Sequence, residues 1–246
     1  SEIWSFNVDT ISPSVPQLQT PVNNIYTQNN RLIFSWNPAV DVSPITYIFE
    51  ISNDGFQNIF FGKSGIVDAK YMLPWALLDD TWQWRVKARD AAGNISEASD
   101  MWTLNIDTHS PSFPHQNNPS HQLYTNDSTP TFSWTASTDP SPLTYTLKLT
   151  KDNVFVFEKT ELTETSYTLN GIEPELLEDG IWGWSVSAID AAGNTNFTAE
   201  RTLYVDTVQP SVPDLTAPAN DSYTDNQTPT FFWTPATDAS PRTYAF

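Results

Sequence analysis

Cysteine is absent from the chain, and only 11 of its 246 residues are lysine or arginine. The first absence excludes a disulfide framework and any thiol chemistry. The second, set against 29 acidic residues for a net charge of −18, excludes a surface built to hold nucleic acid or anionic lipid. No apolar run is long enough to span a membrane, so membrane insertion is not expected within the segment. No leader pattern opens it, and any targeting signal is expected to lie outside it. Histidine is scarce too. His109, His115 and His121 fall in one stretch without counterparts elsewhere, which leaves no recurring base to activate a nucleophile. Phosphate-loop, dinucleotide and zinc spacings are missing, and no stretch keeps a helical period over several turns.

Repetition is what the sequence does have. DAAGN stands at 90–94 and again at 190–194. "FNVDT" at 6–10 returns as "LNIDT" at 104–108 and "LYVDT" at 203–207, and "SPITY" at 43–47 as "SPLTY" and "SPRTY". The offsets are 98 (Asp9 to Asp107), 99 (Asp107 to Asp206) and 100 (Asp90 to Asp190), so short insertions fall inside the unit. The extra residue of "LLEDGIW" against "LLDDTW" is read as one of them. A period of this length is domain-sized. It divides the chain into 1–9, the last strand of a preceding repeat; 10–107 and 108–206, two complete repeats; and 207–246, the incomplete start of another. The expectation is a segment of a longer array. Pairing of 1–9 with the incomplete unit of a neighbouring copy is the less simple alternative.

Each unit reads as short alternating runs between Pro, Gly, Asn and Asp punctuation, the pattern of an all-β sandwich. In "WQWRVKA", Trp82, Trp84, Val86 and Ala88 share one face, and Gln83, Arg85 and Lys87 the other. Trp182, Trp184, Val186 and Ala188 repeat this. Ten Trp, nine Tyr and fourteen Phe are enough for dense cores. Strands are expected near 15–19 (A), at "LIFSW" (B) and "ITYIFEIS" (C), at one or two places between 56 and 73, and at "TWQWRVKARD" (F) and "DMWTLNID" (G).

These residues resemble fibronectin type III and bacterial Ig-like modules. They are a Trp on B (Trp36, Trp134), a Tyr on C (Tyr47, Tyr145), a Leu ahead of an aromatic at the start of F (Leu78 and Trp82, Leu177 and Trp182), and the turn into G (88–96, 188–194). The resemblance implies tandem Ig-like (fibronectin type III-like) β-sandwich domains in a linear array, as in large bacterial surface adhesins. It also implies binding, spacing or adhesion rather than catalysis. Trp in place of the usual Tyr at the start of F is a departure, and it puts the tyrosine-corner hydrogen bond in question, because indole donates but does not accept.

In such a sandwich the B–C and F–G loops lie at the end where the chain enters. Asp41 and Asp90 are thus expected to meet Asp9 of the incoming linker, and Asp139 and Asp190 to meet Asp107. Asp206 and Asp238 form the corresponding pair of the incomplete repeat. Two readings stay open. DAAGN is hairpin chemistry, with Asp, Gly and Asn supplying left-handed backbone. Or the three aspartates converge and repel unless a cation sits among them, and an oxygen-only cluster suits Ca²⁺ at an interdomain junction. The linkers "DTISPSVP", "DTHSPSFP" and "DTVQPSVP" carry paired prolines that restrict the backbone.

Other candidates read as structural. Glu173, Glu175 and Glu178 are taken as a solvated acidic loop rather than a glycosidase pair, and Trp75 as a cap on the core rather than a sugar platform. The function expected is a non-catalytic, adhesive or structural stalk of a long extracellular or cell-surface protein, bacterial in type. Its partners are other copies or repeats, with a surface or glycan target left to a distal domain. The alternative is a spacer or carbohydrate-binding accessory segment of a secreted multidomain enzyme.

Overall fold

The computed structural model describes residues 2–172 and 174–243. Among them no helix forms, and none is therefore long and apolar enough to cross a membrane. The chain divides into two compact units. One runs through Pro111 and includes 138–143 and 189–195; the other holds 112–137, 144–188 and the chain from 196 on.

The first repeat supplies β1 (Gln17–Thr20), β2 (Ile25–Thr27), β3 (Ile33–Asn37), β4 (Thr46–Ser52), β5 (Phe61–Ile66), β6 (Lys70–Met72), β7 (Asp80–Arg89) and β8 (Trp102–Ile106). They form a three-stranded sheet, β1-β3-β6, and a five-stranded sheet, β2-β8-β7-β4-β5. That is the A-B-E and G-F-C-C′ division of a fibronectin type III-like sandwich, with β2 added parallel to β8. The period-two rows read from the sequence point inward. Trp82, Trp84, Val86 and Ala88 are buried together with Phe34, Phe49, Ile51 and Leu104. Phe34 packs edge-on to Trp84 with centroids 5.0 Å apart, a geometry that suits the ring quadrupoles.

The second repeat follows with β9 (His115–Asn118), β10 (Leu123–Thr125), β11 (Thr131–Thr135), β12 (Leu143–Lys151), β13 (Val154–Leu162), β14 (Ser166–Thr168), β15 (Gly180–Asp190), β16 (Thr195–Phe197) and β17 (Arg201–Val205). Its sheets are β14-β11-β9 and β10-β17-β15-β12-β13, with β16 pairing β15. Phe132, Trp134, Leu147, Leu149, Trp182, Trp184 and Leu203 fill its core. Beyond it, β18 (Leu215–Ala217) and β19 (Phe232–Trp233) form a two-stranded sheet. Residues 2–9 carry no strand, and Trp4 and Phe6 are almost fully exposed.

Three expectations need correction. Leu78 is exposed, and the buried leucine ahead of strand F is Leu77, the partner of Leu177. This also moves the insertion. Leu77 and Leu177 each precede their Trp by five residues, so "LLEDGIW" carries no extra residue. The register pairs Phe34 with Tyr71 and Phe132 with Tyr167, which places the added residues between Leu169 and Leu177. Third, Trp at the start of F does make a corner. The Trp82 indole donates to the Leu78 carbonyl at 2.9 Å, and Trp182 donates to the Glu178 carbonyl at 2.8 Å. A donor alone suffices, because the group it ties down is a backbone carbonyl.

Candidate functional site

Strand F delivers its last residue to the turn that opens DAAGN. There Asp90 Oδ1 accepts the amides of Gly93 (2.6 Å) and Asn94 (2.8 Å), closing the turn on itself. Gly93 has φ +101° and Gly193 φ +91°, backbone that a side chain adopts only under strain. Asn94 then spends its amide twice. Its Nδ2 donates to Asp90 Oδ2 (2.7 Å) and to the backbone carbonyl of Asp9 (3.0 Å). In the second repeat Asn194 Nδ2 donates to Asp190 Oδ2 (2.7 Å) and to the carbonyl of Asp107 (2.9 Å). The asparagine that sequence reasoning assigned to turn propensity is thus a clamp on the incoming chain. Its recurrence beside the aspartate is a trace of this in the sequence, but it does not name the carbonyl that the amide reaches.

The B–C loop arrives with its own aspartate fixed in the same way each time. Asp41 Oδ1 accepts the amide and hydroxyl of Ser43 (2.8 and 2.9 Å), Asp139 those of Ser141 (both 2.8 Å), and Asp238 those of Ser240 (both 2.7 Å). This is the local side-chain-to-backbone bonding that aspartate favours in turns. The hydroxyl of a tyrosine on C pins the same loop: Tyr47 accepts from the Ala39 amide at 3.1 Å, and Tyr145 from the Ser137 amide at 2.8 Å.

Two groups of three carboxylates result. Asp9, Asp41 and Asp90 each place an oxygen within 4.8 Å of the other two, and so do Asp107, Asp139 and Asp190. Both groups lie in the first compact unit. In each, the incoming aspartate uses Oδ1 for a near amide, that of Ile11 (3.0 Å) or of His109 (3.2 Å). The Oδ2 atoms of Asp9 and Asp107 are buried with no hydrogen-bond partner, and Asp107 as a residue is 9% exposed. Among the described residues no lysine or arginine forms an ion pair with any of these six carboxylates. Asp206 and Asp238 also approach each other, and Asp206 Oδ2 is again buried and unpartnered. Among the described residues no third carboxylate joins them.

The electrostatics follow from this packing. Burial pushes the Asp107 carboxyl above its ordinary value, the Ser141 hydroxyl and His109 amide work against the rise, and Asp139 and Asp190 add to it. Burial would raise Asp90 as well, but the Asn94 side chain and the turn amides outweigh it and hold Asp90 low. The Ser240 amide and hydroxyl hold Asp238 low.

The oxygen geometry fits a hard cation. Ca²⁺ takes oxygens at about 2.3–2.6 Å, so ligands around one ion lie up to about 5 Å apart. Carboxylate oxygens that already accept one hydrogen bond keep a further lone pair for the ion. Asp9, Asp41 and Asp90 would hold one ion, and Asp107, Asp139 and Asp190 another. Such an ion would supply charge neutralisation.

The threonine of each VDT phrase has a separate anchor, which sequence reasoning missed. Thr108 gives its amide and hydroxyl to Asp79 (both 3.0 Å), and Thr207 gives both to Asp179 (both 2.8 Å). His109 Nδ1 also contacts Asp79 Oδ2, so Asp79, Asp107 and His109 draw together. His121 Nδ1 accepts from the Thr202 amide at 3.0 Å, and His115 lies in β9. Of the acidic loop, Glu173 lies outside the described residues. Glu175 corrects the expectation of a solvated side chain. It is buried and accepts from the Tyr167 hydroxyl at 2.7 Å and the Asn170 amide at 3.3 Å. Burial, and then Glu175, push Tyr167 up to about 12. Glu178 pairs with Lys151 at 2.7 Å. Trp75 packs edge-on to Phe61, centroids 4.9 Å apart.

Comparison with known proteins places this architecture. Residues 117–207 match the family described as Bacterial Ig-like domain. Chitinase A1 of Niallia circulans is 27% identical over 236 residues, which is 91% of this chain and 30% of the chitinase. The chain therefore spans less than a third of that relative's length. Among solved structures, the FN1-FN3 domains of chicken CNTN1 superpose with a TM-score of 0.47 at 16% identity, over 79% of this chain and 68% of that one. The fibronectin(III)-like modules of Clostridium thermocellum CbhA give 0.46 at 13%, over 76% and 92%. The internal repeat and the paired-sheet topology make this a chain of tandem Ig-like, fibronectin type III-like β-sandwiches, of which residues 117–207 match the bacterial Ig-like family.

Proposed function

We propose that this chain is a non-catalytic spacer of a secreted multidomain enzyme that acts on a polysaccharide, and that its aspartate clusters take up Ca²⁺ to fix the strand entering each repeat. The relative that aligns with nearly all of this chain is a chitinase more than three times as long, which favours an accessory segment over the adhesive stalk first expected. The same likeness supports an extracellular site, and the catalytic work is left to another part of the polypeptide.

The single observation that carries the cation reading is the buried, unpartnered Oδ2 of Asp107, set among the carboxylates of Asp139 and Asp190. A buried charge without a partner is costly. Bound Ca²⁺ converts that cost into attraction and clamps three chain segments at one point. The amide of Asn194 already holds the Asp107 carbonyl, so the ion has a preset cradle.

Two measurements test the two halves separately. The chain alone is expected to release no reducing sugar from colloidal chitin; release would overturn the non-catalytic reading. Its melting temperature is expected to rise by roughly 5 °C when millimolar calcium replaces EDTA. An unchanged melting temperature would remove the cation and leave the spacer.

A further inference from the structure

The two sandwiches differ on one outer sheet face where their cores do not. In the second, Tyr124 of β10, Tyr204 of β17 and Ile181 of β15 stand opposite one another on three adjacent strands. The two tyrosine rings stack, with centroids 4.4 Å apart and planes 14° from parallel. Tyr124 and Ile181 are each 49% exposed, so the row is apolar and open. The row of equivalent register in the first sandwich is Tyr26, Asn105 and Thr81. There Thr81 donates to Asn105 across the strands at 2.8 Å, so the same place is polar and satisfied.

The apolar row lines a recess of about 470 Å³ together with Asp179, Gln209, Asp206 and Asp238. That volume admits a small ring or two. The stacked tyrosines and Ile181 offer apolar surface, and the polar lining offers acceptors and an amide. A purely apolar ligand would leave the polar lining groups desolvated and unpaired. An anionic ligand would meet three carboxylates. A pyranose ring matches both demands: its C–H face is apolar, and its hydroxyls are donors that carboxylates accept.

We propose that this recess binds one pyranose unit of an uncharged polysaccharide, packing its C–H face on the Tyr124–Tyr204 pair and donating hydroxyls to Asp179 and Gln209. The proposal goes beyond the spacer reading and does not rest on it, since a spacer needs no ligand.

The test is titration of the intact chain with N-acetylchitohexaose, cellohexaose and hexagalacturonate, followed by amide correlation spectra. EDTA is present throughout, so the outcome is independent of the calcium sites. The expected result is binding of at least one uncharged hexamer in the millimolar range or tighter. Its shifts should be confined to β10, β15, β17 and the adjoining residues that line the recess, Asp179 and Gln209 among them, with none from hexagalacturonate. The double variant I181T/Y204N brings in the first sandwich's own residues, so it should fold, and it should weaken binding at least tenfold. Y124A gives a second, independent reading of the same loss. No shift from either uncharged hexamer at about 5 mM, equal binding of hexagalacturonate, or undiminished binding by both variants would overturn the proposal.

Discussion

The polar residues of the recurring phrases have separate tasks. In VDT the aspartate enters a carboxylate cluster while the threonine is held by Asp79 or Asp179. In DAAGN the aspartate caps the turn and the asparagine reaches across to the incoming chain. Asn194→Ala removes a buried donor that serves two acceptors, and is expected to cost about 2 kcal/mol in urea unfolding. Asn194→Asp should cost more, because it adds a carboxylate beside Asp190 and the Asp107 carbonyl. Gly193→Ala tests backbone rather than space. The nearest foreign atom to a built Cβ is Gln28 Nε2 at 3.8 Å, so the expected loss of about 1 kcal/mol comes from φ +91° alone. Asp54 gives a pH signature. Hydrogen bonds from the Ser52 hydroxyl first, and then from Asn58, lower its pKa from 3.8 to about 2. Its contribution is therefore complete above pH 3.8 and is lost as the pH falls through about 2. An NMR titration of the Asp54 carboxyl should show a midpoint there.

At the scale of elements, the sandwich was legible because its strands are long enough to show a period of two. β7 buries four residues in strict alternation, and β15 buries Trp182, Trp184, Val186 and Ala188 at the same spacing, with Gly183 and Asp190 buried besides; that spacing fixes the inward face without any knowledge of the neighbours. The three-residue strands β2 and β10 were not legible. A run of three shows no period, and each is defined by parallel pairing to a strand some eighty residues away. The aspartate clusters were legible because all three members recur together. The asparagine clamp and the Asp79 and Asp179 anchors were not, because their partners are backbone amides and carbonyls, which composition does not reveal. The leucine ahead of strand F was misassigned because two leucines adjoin and only packing distinguishes Leu77 from Leu78. The anchors give an element-scale prediction. Asp179→Ala removes both bonds to Thr207 and should raise amide exchange at 206–208 while leaving exchange in β11 unchanged.

For the whole molecule, the proposed calcium sites would tie ion binding to stability. Three carboxylates drawn together, with no lysine or arginine paired to them among the described residues, oppose folding at neutral pH, and a bound divalent cation would reverse that sign. Calcium binding requires the ionised carboxylates, so the stabilisation should shrink as the pH falls through the range where Asp107, raised by burial, takes up its proton. The measurement that tests this most directly is isothermal titration of the intact chain with calcium chloride, repeated on Asp41→Asn and Asp139→Asn. The account predicts two bound ions in the unaltered chain, and one in each variant, because each substitution breaks one cluster. No heat of binding at millimolar calcium, or two ions still bound by both variants, would contradict it.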